Sequence, residues 1–183
     1  SKGLSNEMAS TKQIGSLLEK SFSKWDYKKA IKLSDNESKT RDYLIEPFFN
    51  ILGYSKMEHY SHEYSLRLSK GSVKKVDMVI SLNGRTPIIL VECKKATSNL
   101  TKNHLKQLSQ YYENHKESKL GILTNGVVYE FYAVKWNDSK KLSNTPFLVF
   151  DLRDFNRADL EDIACFHLQL FNIKNILEIS EEK

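Results

Sequence analysis

The stretch VDMVISLNGRTPIILVECKK, from Val76 to Lys95, limits the folds open to this chain more than any other. Two mostly apolar runs flank Asn83-Gly84. Asn-Gly between β-rich runs is a strong short-range hairpin signal, because a type I′ turn needs positive φ at both central residues. With that pair as the turn, Leu82 faces Arg85 and Asp77 faces Leu90. Side chains alternate with period 2 along a strand, so Leu90 shares a face with Glu92. Asp77 and Glu92 are then expected as diagonal neighbours with Cβ atoms roughly 7 Å apart. Lys94 projects from the same face one step on. A one-residue slip would send one carboxylate to the opposite face.

That set has a chemistry. Two carboxylates make a hard-oxygen site suited to Mg²⁺, with Mn²⁺ as a substitute. Such an ion activates water and stabilises charge on a phosphodiester. An adjacent ammonium can orient the water or stabilise the transition state. Another reading places the acids in a structural ion-pair network with Lys74, Lys75 and Lys94.

A chain of 183 residues, 40% of them apolar, points to one globular domain with a real core. No run approaches the length of a transmembrane helix. SKGLSNEMASTK lacks the apolar region of a signal peptide. Cys93 and Cys165 fit neither a disulfide framework nor a zinc site, so a cytoplasmic location and no membrane contact are expected. A net charge of +5 is compatible with a polyanionic partner, but it is spread along the chain and does not single one out.

In chain order, residues 9–32 read as one or two amphipathic helices covering the core. Asp35 or Asn36 can cap a helix running through SKTRDYLIEPFFNILGY, with Pro47 expected to kink or split it. Glu37 falls in its first turn, where it either serves the helix dipole or points into the site. HYSHEYSLRL reads as a strand, from which Glu63 could face the site. Thr97-Ser98-Asn99 reads as turn and cap of a helix carrying Gln107 and Tyr111 on one face. LGILTNGVVYEFYAV reads as a second hairpin, KWNDSKKLSNT as a polar loop and PFLVFDL as a strand. One closing helix is expected from about residue 157 to 177, with a frayed acidic tail. The order predicts an α/β fold, a mixed sheet flanked by helices. Residues 1–33 are taken as an accessory helical segment, 34–152 as the core and 153–183 as a helix packed on it.

Asp77 followed by Glu92-Cys93-Lys94 resembles the signature of the PD-(D/E)xK nucleases. LKQLSQYY is similar to their Q-x-x-x-Y element, which Gln107 and Tyr111 match. NESKTRDYLIEPFFNILGY and LGILTNGVVYEFY resemble the opening helix and later paired strands of the nuclease domain of type I restriction enzyme R subunits and standalone relatives. The match covers roughly residues 34–152, in the family's order. Val76 stands where many members have proline. No G-x-x-x-x-G-K-[ST] occurs, so the ATP-driven translocase of a complete R subunit is missing from this sequence.

The resemblance implies a restriction-endonuclease-like core. It implies that Asp77 and Glu92 bind Mg²⁺ with the backbone carbonyl of Cys93, and that Glu37 adds a carboxylate. Lys94 would position the attacking water. Gln107, Tyr111 and Lys95 would support the site or hold DNA, with Lys95 facing outward by strand parity. The implied activity is that of a metal-dependent endodeoxyribonuclease acting on DNA, taken as double-stranded, in restriction or phage defence. A homodimer is one route to double-strand cleavage, and helicase or methyltransferase subunits are the partners expected in a restriction system. The other class of function is a nucleic-acid-binding or protein-interaction module on a nuclease fold, with weak or no cleavage. The intact Asp77, Glu92 and Lys94 favour the enzyme.

Overall fold

Asp26 divides the N-terminal amphipathic segment in two. Its side chain accepts the Lys29 N–H at 3.2 Å and so starts a new helix. The computed structural model describes residues 2–68, 71–84 and 86–183, with side chains from Thr11 onward. It has α1 at Lys2–Lys24 and α2 at Tyr27–Leu33.

Asn36 caps the next helix, its side-chain oxygen accepting the Lys39 N–H at 2.8 Å. That helix passes through α3 (Glu37–Thr40), a π-helical turn (Arg41–Ile45) and α4 (Glu46–Ile51). The helix expected to kink or split at Pro47 is divided just before it by a change of helix type. Proline lacks the N–H that an α-helix interior requires. The chain widens by one residue just before it, so the Glu46 N–H bonds the Arg41 carbonyl, and Pro47 falls in the first turn of α4.

Strands β1 (Tyr60–Arg67), β2 (Val73–Ile80) and β3 (Ile89–Cys93) lead to α5 (Lys102–Tyr112). Then follow β4 (Leu120–Thr124), β5 (Val128–Lys135), β6 (Asp138–Leu142) and β7 (Leu148–Asp151). Helix α6 (Arg157–Ile163), a 3₁₀ turn (Ala164–Phe166) and α7 (Ile173–Glu181) close the chain. The sheet runs β1-β2-β3-β4-β5-β6, with β7 also paired to β5. It is mixed, because β3 and β4 are parallel and the other pairs antiparallel. The α/β expectation holds.

Several details differ from the sequence reading. Asn83 and Gly84 do take positive φ, 57° and 65°, as a type I′ turn demands. The strands nevertheless do not pair directly across them. Observed pairs are Met78 with Val91, Val79 with Leu90 and Ile80 with Ile89. This register lies two residues further along β3 than expected. Pro87 cannot donate to a ladder, so the first β3-side donor is Ile88, whose N–H reaches the Ile80 carbonyl at 2.9 Å. A shift of two preserves side-chain parity.

The segment read as the loop KWNDSKKLSNT contains β6. It is a short, largely exposed edge strand with charged side chains, which hide it from apolar patterning. Helix α5 is capped by Thr101, not by Thr97-Ser98-Asn99, and His104 returns a bond to the Thr101 N–H. The closing helix breaks between α6 and α7 because the intervening segment bonds elsewhere. Leu168 N–H reaches the Leu52 carbonyl at 2.8 Å, and Tyr54 donates to the Phe166 carbonyl at 2.6 Å. Asn172 then caps α7, which runs through the acidic tail to Glu181.

The sheet buries both faces. The larger core packs Met78, Ile80, Val91, Ile122 and Phe131 against α1, α4, α6 and α7. Within it Phe48 stacks on Tyr129 with ring centroids 3.8 Å apart. The smaller core places Val79, Leu90 and Leu123 under Leu108, Tyr111 and Tyr112 of α5. Among the described residues, no helix is long and apolar enough to cross a membrane.

The hairpin expected at Asn125-Gly126 forms between β4 and β5. Gly126 has φ of 81°, and a Cβ there would lie 2.8 Å from Thr40 Cγ2 and 2.9 Å from Leu44 Cβ. Both conformation and space exclude a side chain. Gly126→Ala is therefore expected to destabilise the fold by about 1–3 kcal/mol, read as a lower urea midpoint at unchanged m-value. A wild-type midpoint would refute the close approach.

Candidate active site

Strands β2 and β3 part company where the acids begin. Their ladder ends at Met78–Val91. Strand β2 stays paired with β1 down to Val73–Arg67. Strand β3 stays with β4 through Cys93–Thr124, and the Lys94 N–H bonds the Thr124 carbonyl at 2.8 Å. A fork opens between the two ribbons. Asp77 fills it, its Oδ2 accepting the Cys93 N–H at 2.8 Å. The observed register ends one pair short of Asp77 and runs toward Glu92, not Leu90, as its partner.

Glu92 is only 5% exposed. Lys94 Nζ lies 3.2 Å from Glu92 Oε1 and donates to Gln107 Oε1 at 3.2 Å. Tyr111 donates to Glu92 Oε2 and to the Lys75 carbonyl, each at 3.4 Å. Gln107 and Tyr111 sit one turn apart on α5, so a single helical face reaches both the ammonium and the carboxylate. Lys74 Nζ adds a bond to Gln110 at 3.0 Å, tying α5 to β2. The structure thus brings Asp77, Glu92, Lys94, Gln107 and Tyr111 together.

The remaining candidates stand differently. Glu37 is exposed in the first turn of α3, and its charge helps raise the pKa of Asp77. Glu63 is exposed on β1, where the register between His62–Met78 and Tyr64–Val76 sets it across from Asp77. Lys95 is exposed and lies outside the network. The Cys93 thiol turns into the larger core, 1% exposed, and burial pushes its pKa well up. Sequence reasoning missed Arg41, whose Nη1 lies 3.6 Å from Glu63 Oε1. It also missed Thr40, whose hydroxyl accepts the Ala96 N–H at 2.9 Å and pins the helix to the turn after β3. Neither is visible in a pattern of acids and spacing.

The electrostatics follow from the crowding. Burial first, and then the Asp77 charge, push the Glu92 carboxyl up to about 7, against the pull of Lys94 and the Tyr111 hydroxyl. Asp77 is also raised, by burial and by Glu37 and Glu63, with the Cys93 N–H and Lys94 opposing. Burial and the Glu92 charge raise Tyr111, which stays a protonated donor. Two destabilised carboxylates side by side are a donor set that a divalent cation would relieve. Among the described residues, no group of three or more His, Cys, Asp or Glu is arranged to hold a metal. Asp77 and Glu92 are the two carboxylates that could hold such an ion, with water or backbone oxygen in its other positions.

A family model described as the type I restriction enzyme R protein N terminus matches residues 36–146. This chain belongs to that family. The match spans α3 to the approach to β7 and contains every residue of the cluster above. Comparison with curated proteins gives no match. Among solved structures, the cryoEM structure of a DrdV–DNA complex aligns with TM-score 0.53 and 15% identity, covering 91% of this chain and 14% of that one. At that identity the likeness is one of fold. The crystal structure of the type IIG restriction endonuclease BpuSI aligns with TM-score 0.45 and 17% identity, covering 81% of this chain and 17% of that one. The chain thus spans about a seventh of the DrdV polypeptide.

The raised Glu92 carboxyl has a consequence for stability. Between about 4.5 and 7 the folded protein holds a proton that the unfolded chain has released. Stability without metal is expected to fall as pH rises through that window, and Glu92→Gln to flatten the slope. Urea unfolding in EDTA from pH 4.5 to 8 reads this, and a slope unchanged by Glu92→Gln would count against it. Added Mg²⁺ should raise the wild-type Tm at pH 8 and leave the Tm of an Asp77→Asn/Glu92→Gln double variant unmoved.

Proposed function

We propose that this domain is a Mg²⁺-dependent DNA endonuclease of a restriction or phage-defence system. The observation carrying the reading is the Lys94 ammonium, 3.2 Å from the buried Glu92 carboxylate on the face of the fork that also holds Asp77. Membership of a restriction-enzyme family supports the setting.

Each residue has a task in the hydrolysis. Asp77 and Glu92 would hold the ion, together with the Cys93 carbonyl, and Glu37, whose charge acts on Asp77, is the candidate for a further carboxylate. When bound, the ion would supply Lewis-acid stabilisation and a more acidic water. Lys94 is placed to hydrogen-bond the attacking water and to offset charge on the phosphorane-like transition state. Gln107 holds the ammonium in place, leaving Lys94 fewer rotamers to lose on substrate binding. Tyr111 donates to Glu92 and fixes the orientation of the carboxylate, so the other oxygen stays with Lys94. The substrate is DNA, with double-stranded DNA the natural target of a restriction enzyme. One such site cuts one strand, so double-strand cleavage calls for a homodimer or two binding events. Helicase and methyltransferase subunits are the partners such a system would use, in the cytoplasm.

Plasmid nicking with Mg²⁺, silenced by EDTA, tests the reading. Asp77→Ala and Lys94→Ala should each lower the rate by about 10²-fold or more. Nicking that survives both substitutions would remove these residues from the chemistry. Binding without cleavage of any DNA form would make the domain a nucleic-acid-binding module.

A further inference from the structure

Two backbone irregularities meet beside the site. Arg41 opens the π-helical turn, a geometry that inserts one residue into a helix and recurs at functional sites. Glu63 sits in β1 with φ of 54°, a left-handed conformation that costs a non-glycine residue energy. Pro47 accounts for the turn, and no proline or glycine accounts for Glu63. Their side chains form an ion pair at 3.6 Å across the gap between helix and strand.

The pair is poorly suited to a structural task. Its single N–O approach is long for a charge-assisted bond. Glu63 is 55% exposed and Arg41 23% exposed at the side chain, so solvent screens the attraction. A guanidinium prefers a bidentate oxyanion to such a contact. Arg41 is also close enough to act electrostatically on Cys93, the residue between Glu92 and Lys94. The fork itself holds Asp77 and Glu92 beside Lys94, and the charges of Glu37 and Glu63 act on Asp77 from outside it, so the carboxylates work against the approach of a polyanion. A second cation at its edge supplies what a phosphodiester strand needs to approach.

We propose that Arg41 binds a DNA phosphate beside the Asp77, Glu92 and Lys94 cluster, and that Glu63 parks its guanidinium there until the strand displaces it. The inference rests on the nuclease reading for its substrate. It adds a phosphate contact from the helical layer, opposite the one that carries Gln107. On binding, the weak carboxylate pair exchanges for a charge-assisted phosphate contact, and Glu63 is released to solvent.

The test is binding of a fluorescein-labelled duplex in Ca²⁺, which occupies oxygen sites without the need for turnover, over a salt series. Arg41→Ala should weaken binding and lower the slope of log Kd against log salt by about 1. Arg41→Lys should keep the slope while recovering only part of the affinity, since the charge stays and the fork geometry goes. Glu63→Gln should tighten binding several-fold, because the guanidinium no longer has to leave a carboxylate. Thermal melts confirm that each variant is folded. A folded Arg41→Ala with wild-type affinity and slope, or a Glu63→Gln that binds more weakly, overturns the proposal. Cleavage lost in Asp77→Ala but indifferent to Arg41 would overturn this inference alone, while a wild-type protein that binds no DNA would overturn the nuclease reading with it.

Discussion

The Cys93 N–H donates to a side chain, Asp77 Oδ2 at 2.8 Å, where continued pairing with β2 would have offered a main-chain carbonyl. That exchange lets β2 and β3 separate without leaving a buried donor unpaired, which would itself cost about 1–3 kcal/mol. The separation creates the site. Strand β2 departs with β1, strand β3 continues with β4, and the acids line the opening. Asp77 is at once the plug of the fork and one of its two carboxylates.

Placing Glu92 next to Asp77 in a buried position works against stability, as the elevated Glu92 carboxyl shows. The surrounding structure limits the damage without removing it. Lys94 and the Tyr111 hydroxyl take one oxygen each of Glu92, and Gln107 takes up the ammonium. All three partners stand on rigid elements, the end of β3 and one face of α5. The larger core on the other side of the sheet, with Phe48 stacked on Tyr129, supplies the stability that the fork withholds.

The helical layer reaches the fork through a chain of close contacts. Gly126 admits Thr40 and Leu44 because it has no side chain. Thr40 then accepts the Ala96 N–H just after Lys94. The π turn follows at once, and it carries Arg41 toward β1. Pro47 is thus accommodated by a change of helix type that also aims a residue at the site, which is why the helix was legible as a helix but its effect was not.

Much of the site was legible because it depends on local rules. Period-2 alternation put Asp77, Glu92 and Lys94 on one face, and helical spacing put Gln107 and Tyr111 on another; both facts survive a register shift of two. The Asn83-Gly84 backbone follows from residue type alone. The two-residue shift of register between β2 and β3 did not follow, because Pro87 delays the ladder and the fork ends it, and both depend on what β3 pairs with on its other side. Strand β6 was invisible because an exposed edge carries no apolar pattern. The break after α6 was invisible because the bonds that cause it go to Leu52 and Tyr54, far away in the chain. By itself, then, the sequence determined the residue types, the faces they occupy and the family they belong to, through short-range geometry. Only the tertiary structure decided the opening between β2 and β3, the burial that raises Glu92 and the meeting of Arg41 with Glu63, because each arises from elements that touch only once the whole sheet is assembled.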